Sequence, residues 1–83
     1  MRSIEFEGQT FEYDETALER YSVIEGITLG VEDMSGFFRS LRAIFAGNST
    51  KYAAMLGDSQ IKMGELVAAV FSDAAERSEA VKN

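Results

Sequence analysis

Four carboxylates crowd the start of the chain: Glu5, Glu7, Glu12 and Asp14. Converging carboxylates can hold calcium, or share acid and base roles in glycoside hydrolysis. Calcium needs a loop of the D-x-[DN]-x-[DN]-G kind, which is absent. Glycoside hydrolysis needs a deep cleft, which 83 residues can hardly build. The rest of the catalytic inventory is thin. There is no histidine and no cysteine. That excludes disulfides, ordinary zinc sites and thiolate or Ser–His nucleophiles. Gly26-Ile27-Thr28-Leu29-Gly30 is not a phosphate loop, because no lysine follows at P-loop spacing. We therefore expect no catalytic residues, no metal and no cofactor. The chain is expected to bind rather than to catalyse.

The carboxylates sit on an element that reads as a β-hairpin. Ile4-Glu5-Phe6-Glu7-Gly8-Gln9-Thr10-Phe11-Glu12-Tyr13 alternates apolar and polar on both sides of a glycine. With Gly8-Gln9 as the turn, Phe6 pairs with Phe11, Ile4 with Tyr13 and Glu5 with Glu12. Ile4, Phe6, Phe11 and Tyr13 then share one face, which must rest on helices, since a lone hairpin is marginal. Glu5, Glu7 and Glu12 lie on the wet face, with Glu5 and Glu12 repelling each other.

Helical spacing begins after Tyr13. Asp14 is a candidate cap, and Thr16-Ala17-Leu18-Glu19 matches a capping box. The expected helices run over 15–27, 33–46, 49–56 and 58–77, with fraying beyond Arg77. In the first, Ala17, Leu18, Tyr21 and Ile24 share a face, and Val23 and Ile27 share another. In the second, capped by Asp33 and stopped by Gly47, Met34, Phe37, Phe38, Leu41, Ile44 and Phe45 fill an arc of about 120°. The third carries Tyr52, Met55 and Leu56 and ends at Gly57. The fourth, capped by Asp58, buries Met63, Leu66, Val67, Val70 and Ala74, and Asp73 with Arg77 forms an i,i+4 ion pair. The expected fold is α+β: residues 1–83 as one small domain, with an N-terminal hairpin packed on three to four helices.

Small residues form two stripes: Gly36, Ser40, Ala43 and Gly47 on the second helix, and Gly64, Ala68 and Ala75 on the fourth. Such stripes let backbones approach closely, and the ordinary reading is that these two helices pack on each other. The alternative is a partner surface. Phe37 and Phe38 point about 100° apart on a helix. Both fit at the edges of one wide buried face. A ring left exposed would mark a protein-binding site. The candidate partner-binding residues are Phe37, Phe38, Phe71, Gly36, Ala43, Gly64 and Ala68.

The formal net charge is −6, and the eight Lys and Arg are scattered. Nucleic acid and anionic membrane surfaces are therefore not expected partners. The longest strongly apolar run, Leu66 to Phe71, is far short of a bilayer span. The N-terminus lacks the apolar segment of a signal peptide.

The order of these features resembles the small tail assembly chaperones of long-tailed bacteriophages and prophages. The likeness spans roughly residues 3–76. It rests on the hairpin Ile4–Asp14, a helix with Leu18 and Tyr21, the stretch Phe37-Phe38-Arg39-Ser40-Leu41-Arg42-Ala43-Ile44-Phe45-Ala46-Gly47, and Met63-Gly64-Glu65-Leu66-Val67-Ala68-Ala69-Val70. The resemblance implies a non-enzymatic protein that holds the aggregation-prone tape measure protein and helps recruit tail tube subunits. It implies action in the bacterial host cytoplasm and absence from the mature virion. It also implies a longer form made by ribosomal frameshifting, for which the ending Lys82-Asn83 could be encoded by a slip-prone run. An unfilled apolar groove would favour homo-oligomers as well. The competing readings are a small structural virion protein of the tail or joining region, and a small acidic regulator of antitoxin type.

Overall fold

The chain reverses at Glu7 and Gly8, which both take positive φ, 52° and 77°. Two positive φ values in a two-residue loop make the type I′ turn, whose twist matches that of paired strands. The computed structural model describes the backbone of residues 1–82 and the side chains of 1–77. Strands β1 (Arg2–Phe6) and β2 (Gln9–Tyr13) pair antiparallel, with Ile4 opposite Phe11 and Glu5 opposite Thr10. This corrects the expected register. The turn is one residue earlier, so every pair shifts by two. A two-residue shift preserves which side chains share a face. Ile4, Phe6, Phe11 and Tyr13 thus still face the helices, Phe11 and Tyr13 fully buried and the other two partly. The shift also removes the like-charge pair: Glu12 now faces Ser3.

The hairpin is followed by a 3₁₀ turn, Ala17–Glu19, and four helices: α1 (Tyr21–Leu29), α2 (Met34–Ile44), α3 (Ser49–Met55) and α4 (Gln60–Lys82). The fold is α+β, as the change of period predicts. The expected helix over 15–27 is broken at Arg20, which is extended (φ −87°, ψ 130°). The capping box does not form. Asp14 instead accepts hydrogen bonds from the Thr16 amide (3.0 Å) and hydroxyl (2.6 Å). The break has a packing consequence. Six residues of continuous helix would turn Ala17 and Val23 about 120° apart; with the break, both are buried. The break splits the first expected face: Ala17 is buried and Leu18 packs on the core, but Tyr21 is 78% exposed and Ile24 lies at the surface, while Val23 and Ile27 of the other face pack inward.

A second 3₁₀ turn, Gly30–Asp33, leads into α2. There the Asp33 carboxylate accepts from the Gly36 amide at 3.1 Å. The far end of α2 closes in a Schellman arrangement, with Gly47 N–H on Arg42 C=O (2.8 Å) and Ala46 N–H on Ala43 C=O (3.4 Å). The left-handed position is Ala46 (φ 52°), one residue before the expected stop at Gly47. The end of α3 repeats the motif through Gly57 and Asp58. The expected cap of α4 is corrected: Ser59 Oγ, not Asp58, accepts from the Lys62 amide at 3.1 Å.

The core joins all layers. Phe11, Tyr13, Ile44, Phe45, Leu66 and Val70 have essentially no exposed surface. Tyr52 stacks edge-on to both Phe11 and Phe45, at 5.0 and 5.5 Å between centroids. Its hydroxyl accepts from the Glu12 amide (3.1 Å), and Gln9 Nε2 donates to the Met55 carbonyl (3.0 Å), so α3 covers the outer edge of β2. On the other side, Tyr13 donates to Asp73 (2.6 Å), which also accepts from Arg77 (2.9 Å). The expected Asp73–Arg77 pair therefore also ties α4 to the hairpin. α4 runs on as helix to Lys82, past the expected end at residue 77. Among the described residues no helix is long and apolar enough to cross a membrane.

Candidate functional site

Phe37 and Phe38 separate across the edge of the core. Adjacent helix positions differ by about 100°. Phe37 turns inward and is partly buried against the core cluster; Phe38 is 45% exposed. The rings meet edge to face, 5.8 Å between centroids. This corrects the expectation that both rings are core. An edge-to-face contact leaves the outer ring held by the inner one rather than free to fold away.

These rings form one wall of a groove of about 330 Å³ between α2, α3 and the start of α4. Phe37, Phe38, Leu41, Ala53 and Met63 supply apolar surface. Arg42, Ser49, Thr50, Asp58, Ser59 and Gln60 supply a polar side. Three elements converge because the two Schellman turns, at Ala46-Gly47 and Gly57-Asp58, reverse the chain sharply around the short α3. Among the described residues, neither Arg42 nor Asp58 is in an ion pair.

The other candidate residues are not brought to this groove. Gly36 is buried under α1: a Cβ on Gly26 would overlap Ser40 Oγ and come within 2.5 Å of the Gly36 carbonyl oxygen. The small stripe of α2 therefore packs on α1 and not on α4, a correction of the expected helix pair. Ala43 is partly buried and lines a small cleft beside Val23 and Arg39. Phe71 is partly buried and lines a separate hollow of about 460 Å³ with Leu18, Ala74, Ala75, Arg2 and Glu15. Gly64 and Ala68 are exposed on α4, and a Cβ on Gly64 would meet nothing within 4 Å. Their stripe covers no helix.

Leu41, Arg42, Ala53 and Met63 belong to the groove but were not singled out as partner residues. Helical periodicity marks Leu41 and Met63 as core, which they also are. A groove shared by three elements has no spacing in sequence to betray it.

The carboxylates of the hairpin disperse into separate contacts. Glu7 pairs with Lys62 at 2.5 Å, and that hydrogen bond raises the Lys62 pKa. The hydrogen bonds from Thr16 lower that of Asp14. Among the described residues, no group of three or more Asp or Glu side chains is close enough to share an ion. Tyr13 is the most perturbed group: burial, then its hydrogen bond to Asp73 and the charge of that carboxylate, push it up to about 12. All three lie outside the groove. Its chemistry is that of an apolar slot with a polar rim, suited to seating side chains.

No family model, no curated protein and no solved structure matches the chain.

Proposed function

We propose that this protein is a non-enzymatic chaperone of phage tail assembly, which holds an apolar helical segment of the tape measure protein and helps recruit tail tube subunits. Its place of action is the cytoplasm of the bacterial host, and it is not carried into the virion. The observation that carries the reading is Phe38, 45% exposed at the mouth of an apolar groove on a chain of net charge −6. What sets this ring apart from other exposed apolar residues is its continuity with an apolar slot, the arrangement that marks a protein-binding site. The groove, at about 330 Å³, is at the small end of ligand pockets. It therefore seats anchor side chains spaced along one face of a helix rather than enclosing the helix. The acidic surface keeps the loaded chaperone soluble and disfavours acidic partners. Unloaded, the same apolar surface favours homo-oligomers.

The test is co-expression with the tape measure protein of the same phage. The tape measure protein should stay soluble only in the presence of the chaperone. Phe38→Asp should abolish the rescue while moving the chaperone's melting point by no more than about 2 °C, because Phe38 lies at the surface. Equal precipitation with and without the chaperone overturns the reading.

A further inference from the structure

We propose that the outer edge of β1 is a strand-acceptor site for an extended, basic segment of a partner protein. This site lies apart from the groove beside Phe38 and does not depend on its occupant.

The argument starts from hydrogen-bond alternation. In a hairpin with a two-residue loop, the residues flanking the loop form a hydrogen-bonded pair, and pairs alternate from there. Phe6, Ile4 and Arg2 thus point their amides and carbonyls at β2, through pairs with Gln9, Phe11 and Tyr13. Ser3 and Glu5 point theirs outward. Glu12, opposite Ser3, obeys the same rule on the other strand, and its outward amide is taken by the Tyr52 hydroxyl. The outer edge of β2 is therefore engaged by α3 at Glu12. Among the described residues, no hydrogen bond takes the outward amides or carbonyls of Ser3 and Glu5. β1 is an open edge, which pairs with any strand that fits it.

The space beside this edge has the right form. A hollow of about 460 Å³ lies between Ser3, Ile4 and Glu5 of β1 and Ala69, Ser72, Asp73 and Glu76 of α4. An added strand lies about 4.8 Å from β1. Its alternate side chains would point down onto Ala69 and Ser72, which are small enough to admit them. Those side chains meet the Glu76 carboxylate of α4, while the other face of the added strand lies beside Glu5 on the wet face of the hairpin. Asp73 is already engaged by Tyr13 and Arg77. Glu5 and Glu76 are in no ion pair among the described residues. A lysine or arginine pointing down from the incoming strand would complete Glu76, and one pointing up would complete Glu5. A second copy of β1 is the other obvious strand. Two-fold pairing would bring Glu5 and Glu76 of each copy towards those of the other, on chains each of net charge −6. Charge therefore selects a basic segment over self-pairing.

The experiment uses the full chain, labelled with ¹⁵N, and a short capped peptide of alternating lysine and valine. On titration, the Ser3 and Glu5 amides should shift and become protected from hydrogen exchange. The Ile4 amide, already bonded within the hairpin, should show little added protection. The matching glutamate–valine peptide should not bind. Glu76→Lys, on the exposed face of α4, should weaken binding about tenfold, equivalent to ~1.4 kcal/mol. Glu5→Pro should abolish it, since that substitution removes an outward donor and leaves the ladder bonds of Ile4 and Phe6. The site is overturned if shifts map to Phe37 and Phe38 alone, if the two peptides bind alike, if Glu76→Lys has no effect, or if the same amides are protected by self-association without peptide.

Discussion

At the scale of single residues, the most informative positions are those where the residue type disagrees with its backbone. Ala46 holds the left-handed position that closes α2, and Gly47 follows it. An L-residue in that region costs about 1–2 kcal/mol. Ala46→Gly should therefore stabilise the protein by about 1 kcal/mol, read as a higher urea midpoint with an unchanged slope. An unchanged midpoint would show that the strain is relieved elsewhere. Tyr13 makes a different prediction. Its ordinary pKa is 10.0, and burial with the Asp73 hydrogen bond lifts it to about 12 in the folded state. Between these values the unfolded chain has lost the phenolic proton and the folded chain keeps it. The folded state binds more protons there, so stability falls as pH rises. The contribution is complete below pH 10 and lost on the way to about 12. Tyr13→Phe should flatten that part of the pH–stability curve, and a slope that persists in the variant would place its origin elsewhere.

Elements are placed here by close approach as much as by apolar periodicity. α1 lies on α2 because Gly26 has no side chain where Ser40 and the Gly36 carbonyl pass. Gly26→Ala should force the helices apart and cost about 1–3 kcal/mol, the usual penalty of overpacking. A gain in stability, as from an ordinary Gly→Ala change inside a helix, would mean the seam can relax. The hairpin is held by unequal anchors. Phe11 has no exposed surface, whereas Phe6 is half covered. Phe11→Ala should cost ~3–5 kcal/mol. Phe6→Ala should cost less, about 1–3 kcal/mol, because part of its ring stays in water. Equal losses would show that the two ends of the hairpin are equally buried in solution.

For the whole molecule, one core is shared by the hairpin and all four helices, through Tyr52 between Phe11 and Phe45 and through Met63, Leu66 and Val70 beneath them. Nothing in that core calls for an ion. The expected outcome of melting with and without a chelator is the same midpoint within scatter, and a clear drop with chelator would reveal a metal contribution. Exposed apolar side chains are spread over the molecule, Tyr21, Val31 and Ile61 among them. The two hollows that carry an aromatic wall, one at Phe38 and one at Phe71, have lining sets that share no residue. A single partner helix therefore cannot be assumed to touch both. Separate Phe38→Asp and Phe71→Asp variants in the co-expression assay test which of the two surfaces carries the proposed contact with the tape measure protein.

Local periodicity was enough to establish the α+β class, the shared face of Ile4, Phe6, Phe11 and Tyr13, the Asp33 cap, and the buried face of α4. Each of these depends on neighbours within one turn or one strand pair. The shift of the hairpin register was invisible because moving by two residues preserves the apolar face that fixed the reading; the choice between turns lay in the twist of Glu7-Gly8. The break at Arg20, the burial of Val23 instead of Tyr21, and the packing of Gly36 under α1 were decided by how helices dock. Apolar residues lie on more than one face of α1, and only the neighbour that arrives selects which face is covered. The groove follows the same logic. Phe37 and Phe38 were legible as a pair, but which ring stays in water depends on α3 and α4 stopping short of it, a matter of chain reversal and not of any residue's own preference.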